Sequence, residues 1–320
     1  MTPRWCRIAV AALALLLIPL HASPASSLGE AREPSIGWHV PWAVGGPRLA
    51  HDGSLYQHSG EWPAFDVEAI RLWDTRTAWL NLQPRPDLFD FSHLDAHLER
   101  AESAGVDHIT LVLAGTPRWA ATREMPSDAP WLGPGSAAPP TDIEHWRGFV
   151  TAVTERYRGR IDAYEIGNEP NLPQFWSGDY QQLATLVHEA ADIIRAQDPQ
   201  ARILAPAPLI TELRDVVHAR ELWANLIPGS VDSLSFHYYP RSSRSITHLS
   251  AIVRHLARAA QQHGFADTQL WITEANPGAS ATKADIAAME RTAGREGIDR
   301  LYWYAWMQRE SLDLLEFYSP

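Results

Sequence analysis

The chain has 320 residues, 45% hydrophobic and 20% charged, a balance that excludes disordered and collagen-like architectures. Its 38 acidic residues outweigh 27 basic ones, giving a net charge of −11. No cluster of basic residues stands anywhere, which argues against a phosphate-neutralising, nucleic-acid-binding surface.

The first 25 residues read as a secretory leader. Arg4 and Arg7 precede an apolar run from Ile8 to Leu20, and Ser23-Pro24-Ala25 offers a small-residue cleavage site. The run is short for a membrane span and no later run reaches its length, so a periplasmic or secreted chain with no stable membrane anchor is expected. Cys6, the only cysteine, falls inside the leader, and neither disulfides nor thiolate chemistry is expected of residues 26–320.

Residues 26–320 carry no linker and are read as one domain. Eight short apolar runs are candidate strands: Ile36–Val40, Ala69–Trp73, His108–Leu113, Ile161–Ile166, Arg202–Ala205, Val231–His237, Leu270–Thr273 and Leu301–Ala305. Between most of them the apolar spacing becomes helical, the pattern of βα units around a parallel sheet. Ser92 opens a helix with Leu94, Leu98 and Ala101 on one face, closed by Gly105. Thr141-Asp142-Ile143-Glu144 has the form of a capping box. Two further stripes are Leu183, Leu186, Val187 and Ile194, then Leu249, Ile252, Val253 and Leu256. Eight such alternations predict a (β/α)8 TIM barrel. A doubly wound sheet is the second possibility, weakened because no Gly-rich phosphate turn follows the first strand. Trp42–Asp66 lacks a helical stripe, which predicts an irregular first crossover, and the fourteen residues after Trp306 predict a short or missing last helix. Met125–Pro140, with five prolines and two glycines, is a long loop after the third strand, at the rim where a barrel places its site.

The chemistry concentrates at two strand ends. Tyr164-Glu165-Ile166-Gly167-Asn168-Glu169-Pro170-Asn171 carries an apolar strand into an adjacent amide and carboxylate, and Leu270-Trp271-Ile272-Thr273-Glu274-Ala275-Asn276-Pro277 delivers a second carboxylate in a matching context. Two carboxylates at the ends of the fourth and seventh strands face each other across a barrel mouth, an arrangement suited to cleaving a glycosidic bond. His93 and His97 have the i, i+4 spacing of a helical metal pair, but no third ligand accompanies them and they read as a solvated helix face. No metal and no cofactor are expected.

These pieces resemble the retaining glycoside hydrolases of the large (β/α)8 clan, clan A, and are most similar to glycoside hydrolase family 39. The resemblance covers nearly all of residues 26–320. It is carried by Ile70-Arg71-Leu72-Trp73-Asp74, Trp79, Phe89-Asp90-Phe91, Gly115-Thr116-Pro117-Arg118-Trp119-Ala120, Asn168-Glu169-Pro170-Asn171, Phe236-His237-Tyr238-Tyr239 and Thr273-Glu274. It implies Glu169 as general acid/base and Glu274 as nucleophile. The chemistry of the neighbours agrees: Arg71 and Tyr239 can keep a nucleophile ionised, and Asn168 is placed to donate to the sugar 2-hydroxyl. His237 and Tyr239, two apart on a strand, share a face, and Glu165 reads as a structural partner one layer deeper. Among the 14 tryptophans, Trp306 is the candidate platform under the sugar, with Trp38, Trp79 and Trp119 as further sugar contacts near strand ends. Trp131 and Trp176 lie on rim loops, while Trp146 and Trp223 fall in helical stretches and read as packing. The expected activity is that of a secreted retaining glycosidase cleaving O-glycosidic bonds of an oligo- or polysaccharide. The alternatives are a transglycosylase in polysaccharide assembly and a catalytically inactive sugar-binding barrel.

Overall fold

The computed structural model describes residues 33–305 apart from 42, 50–54, 59, 127, 242–247 and 279–280. The segment read as a leader, with Cys6, and Trp306 with the stretch where a short or missing last helix is expected lie outside the described residues.

Eight parallel strands close into a barrel: β1 (Ser35–Trp38), β2 (Ala69–Leu72), β3 (His108–Val112), β4 (Ala163–Glu165), β5 (Arg202–Leu204), β6 (Ser233–Tyr238), β7 (Gln269–Ala275) and β8 (Ile298–Trp303). Consecutive strands pair around the ring, and β8 returns to β1 in the register Ser35↔Arg300 to Trp38↔Trp303. The (β/α)8 TIM-barrel expectation is met. A parallel strand must be covered on both faces, which is why all eight read as apolar runs instead of alternating ones.

Among the described residues, besides a single helical turn at Trp79–Leu82, six longer helices follow the strands from β2 to β7: α1 (Ser92–Ser103), α2 (Ile143–Tyr157), α3 (Tyr180–Gln197), α4 (Val216–Trp223), α5 (Leu249–Gln262) and α6 (Lys283–Arg295). Each presents its apolar stripe inward: Leu94 and Leu98 of α1, Leu183 and Val187 of α3, and Ile252 and Leu256 of α5 are fully buried. No helix among the described residues is long and apolar enough to cross a membrane.

Some local expectations are corrected. The cap of α2 is Asp142 and not Thr141, because the Asp142 carboxylate stands one residue nearer the first turn and accepts the N–H of Glu144 at 3.0 Å. Asp179 and Gln182 form an unforeseen capping box on α3. The first crossover is irregular, as expected: its described residues hold no helix and include a two-stranded antiparallel hairpin, Gly46–Leu49 with Leu55–His58. Asp52-Gly53, between those two runs, is the sequence signal for such a turn. His97 is buried on α1 and does not lie on a solvated face.

Candidate active site

The C-terminal ends of β2, β4, β6 and β7 bring together all six polar residues singled out from the sequence. Local backbone does the aiming. After β4 the chain turns at Gly167, whose φ of +109° is a conformation side chains avoid, and a Cβ there would press within 3.2 Å of Pro206. Glu169 itself sits at φ +42°, unusual for a residue with a side chain. Its N–H donates to the Ala207 carbonyl at 2.9 Å. The Asn171 amide staples the same loop to the segment after β5 by donating to the Leu209 carbonyl at 3.0 Å and accepting the Leu209 N–H at 2.9 Å. In β7 a register shift between Ile272 and Glu274 breaks the regular ladder with β6 and sets Glu274 beside His237.

Arg71 organises the floor. It is completely buried, and its guanidinium reaches three partners: Nε donates to Glu165 Oε2 at 2.6 Å, Nη1 to Glu274 Oε1 at 2.7 Å and Nη2 to Asn168 Oδ1 at 3.0 Å. Burial works against the cation, but the carboxylates of Glu165 and Glu274 more than restore it, so Arg71 stays charged. Glu165 also takes the Thr273 hydroxyl at 2.8 Å, with Ser235 Oγ at 2.9 Å. It is therefore the structural partner one layer down that its strand parity suggested. Replacing one member of a buried ion group strands the others without compensation. Arg71→Met is expected to lower stability by about 3–5 kcal/mol, measured by denaturant unfolding, and to abolish activity. Adding Glu165→Gln should recover much of the stability and none of the activity, which separates the two roles.

The two strand-end carboxylates differ in their surroundings. Burial pushes the Glu169 carboxyl up to about 7, against the pull of Arg71. No Arg or Lys among the described residues pairs with it; its Oε1 shares a hydrogen bond of 2.9 Å with His237 Nδ1. Burial and the neighbouring Glu169 keep the Glu274 carboxyl above its ordinary value as well, but Arg71 and the Tyr239 hydroxyl, which donates to Oε2 at 2.8 Å, oppose that rise. Since Arg71 is 2.7 Å from Glu274 alone of the two, Glu274 is the one that holds the charge. His237 is fully buried, and desolvation lowers it to about 4, so it is neutral beside them.

One oxygen of Glu169, one of Glu274 and a ring nitrogen of His237 lie within 4.8 Å of one another. Two carboxylates and an imidazole make a donor set that a divalent cation accepts. The three come from β4, β6 and β7 and meet only on folding. Arg71 already supplies the positive charge next to Glu274, and that charge repels a second cation.

The aromatic expectations fare less well. Trp38 and Trp79 are core residues and not sugar contacts: both are buried, Trp38 packs on Phe65, and Trp79 stacks on Phe149 with its indole N–H donated to Gln83 at 2.9 Å. Apolar area at a strand end is drawn into the barrel–helix interface wherever a helix covers it. Trp119 is half-buried, edge-on to Trp79, and donates to the Gln83 carbonyl at 3.0 Å. Trp146 and Trp223 are buried as expected.

The sequence reading passed over His39 and Tyr304. His39, fully buried just past β1, holds the Thr273 carbonyl through Nε2 at 3.0 Å. Tyr304, just past β8, donates to Asp74 at 2.6 Å and packs against His39 and Tyr239. Position immediately beyond a barrel strand was the available signal.

A parallel eight-stranded barrel with paired acids at the ends of β4 and β7 defines a glycoside hydrolase domain of clan A. Residues 110–309 match the model of the cellulase family, glycosyl hydrolase family 5, and the chain belongs to that family. It is similar to a β-xylosidase of Geobacillus stearothermophilus, 33% identical over 81 residues, which is 23% of this chain and 16% of the relative. A β-xylosidase of Caldicellulosiruptor saccharolyticus is 29% identical over 118 residues, 33% of this chain and 23% of the relative. These matches span less than a quarter of the curated relatives' length. Among solved structures, a family 39 β-xylosidase from Caulobacter crescentus superposes with a TM-score of 0.59 at 18% identity, over 87% of this chain and 65% of that one. A glucosidase from Croceicoccus marinus does so at 0.57 and 17% identity, over 78% and 56%. Families 5 and 39 thus meet at the level of the clan.

Proposed function

We propose that this chain is a retaining glycosidase acting outside the cytoplasm on the O-glycosidic bonds of an oligo- or polysaccharide, with Glu274 as nucleophile and Glu169 as acid/base. One observation carries the reading: an oxygen of each carboxylate lies within 4.8 Å of the other. Retaining pairs stand about 5–5.5 Å apart, whereas inverting pairs need about 6.5–9.5 Å to admit a water molecule between the general base and the sugar.

In the first step a Glu274 oxygen attacks the anomeric carbon while Glu169 gives its proton to the departing oxygen. The sugar is left esterified to Glu274. In the second step Glu169, now a carboxylate, takes a proton from water as that water attacks the same carbon and frees Glu274. Arg71 and Tyr239 stabilise Glu274 both as attacking and as leaving carboxylate. The Arg71 contact occupies the Asn168 carbonyl, so the Asn168 NH2 group is left to donate to the sugar 2-hydroxyl. The full set of supporting groups favours catalysis over a binding-only barrel. The leader supports export, and the β-xylosidase relatives make aryl β-xylosides the first substrates to try. Early in the reaction, NMR should show a first product with the substrate's anomeric configuration; an inverted first product would overturn the mechanism.

A further inference from the structure

Met125–Pro140 is rich in proline and glycine, yet it is firmly tied. The Asp128 carboxylate accepts three backbone N–H groups, from Met125 at 2.9 Å, Gly135 at 2.8 Å and Ala137 at 3.2 Å. Ala129 donates to the Gln174 carbonyl at 3.1 Å and Ser177 to Ala137 at 2.7 Å, so the loop after β3 is bound to the loop after β4. Held on this frame, Trp131 is 59% exposed. Its neighbour on the other loop is Phe175, edge-on at 6.1 Å, and Phe175 is in turn edge-on to Trp73 at 6.1 Å. Trp73 follows β2, two residues beyond Arg71, and Phe175 is six residues beyond Glu169. An aromatic path therefore leads outward from the catalytic floor.

Leaving a large indole in water costs free energy that packing would recover, as it does at Trp146 and Trp223. A rigid aromatic on a pre-ordered loop loses little conformational freedom on binding, which makes it an economical recognition surface. Trp176, the other rim candidate, is instead tied down, donating to the Asp179 carbonyl at 3.0 Å and packing on the core. From this continuity with the catalytic centre we infer that Trp131, buttressed by Phe175, is an outer subsite holding a pyranose unit beyond the bond that is cut. It selects an extended chain whose sugars present a flat apolar C–H face, so that the bonds cut lie within a polysaccharide. This rests on the glycosidase reading above.

The test uses gel retardation with soluble xylan, mixed-linkage β-glucan, carboxymethylcellulose and galactomannan, in a Glu274→Gln background so that nothing is degraded. At least one polymer should retard the chain, and Trp131→Ala should weaken that retardation about tenfold or more. Trp131→Phe should retain part of it, and Ile227→Ala, an exposed apolar residue elsewhere, should change nothing. With Glu274 restored, Trp131→Ala should lower kcat/KM on the retarding polymer relative to an aryl glycoside by a similar factor. Retardation by no polymer, or equal retardation with and without Trp131, overturns the subsite. So does a wild-type dimer that Trp131→Ala dissociates in sedimentation, which would make the indole an interface between copies. Absence of aryl glycoside turnover in the wild-type chain would instead count against the glycosidase reading, and the gel result would still judge the subsite.

Discussion

Glu274→Ala is expected to fold normally and to lose about 10⁵-fold or more of its turnover, because no other group can form the bond to the sugar. The fold should survive because Arg71 keeps Glu165 at 2.6 Å and Asn168 at 3.0 Å after its third partner is gone. Two further readouts tie the loss to nucleophilicity. Added azide can enter the space left by the carboxylate and attack an activated aryl glycoside, partly restoring cleavage with inverted configuration. A slow fluorosugar that traps the glycosyl-enzyme should label Glu274 in the wild-type chain, read by mass spectrometry of the digested protein. Labelling elsewhere would sink the assignment.

Glu169→Gln should remove the proton that the leaving oxygen needs. Substrates with poor leaving groups should lose about 10²–10⁴-fold in rate, and activated ones far less in forming the glycosyl-enzyme. In the unaltered chain, kcat/KM should follow a bell against pH. Its alkaline limb falls near 7 as Glu169 gives up its proton, and its acid limb reports the protonation of Glu274, the two carboxyls titrating as a coupled pair. His237, lowered to about 4, is neutral across that range and does not shape the alkaline limb. The variant should lose the alkaline limb.

Stability provides a readout independent of catalysis. The folded pKa of Glu169 lies above the ordinary 4.5, so the folded chain holds a proton that the unfolded chain has released. That contribution is complete below about pH 4.5 and is lost as pH rises through about 7, where folding must bury a charge. Gln has no such charge. The melting temperature of Glu169→Gln should therefore exceed that of the wild-type chain by a margin that widens from pH 5 to pH 8. A constant or shrinking margin would show that Glu169 is not held protonated by burial.

What could be read from the chain alone was whatever depends on local spacing. Strands buried on both faces must be apolar throughout and helices must show a 3.6-residue stripe, so the eight alternations and the barrel were legible. Two carboxylates at strand ends, each followed within three residues by a proline, were legible for the same reason. Their position follows from where a strand stops, and Arg71 between Ile70 and Leu72 is a charge that a buried strand carries only if partners await it. What only the tertiary structure decided depends on distance between elements remote in sequence. That Arg71 bridges Glu165, Glu274 and Asn168, that His237 stands between the two carboxyls, and that Tyr304 reaches Asp74 are consequences of ring closure, which joins residues 37 to 230 positions apart. The tryptophans show the limit most plainly. Their composition told of abundant aromatic surface, but whether an indole faces a sugar or a helix depends on what packs over it. Trp79 near β2 is covered by Phe149 of α2, whereas Trp131, on a rim loop, is left in solvent.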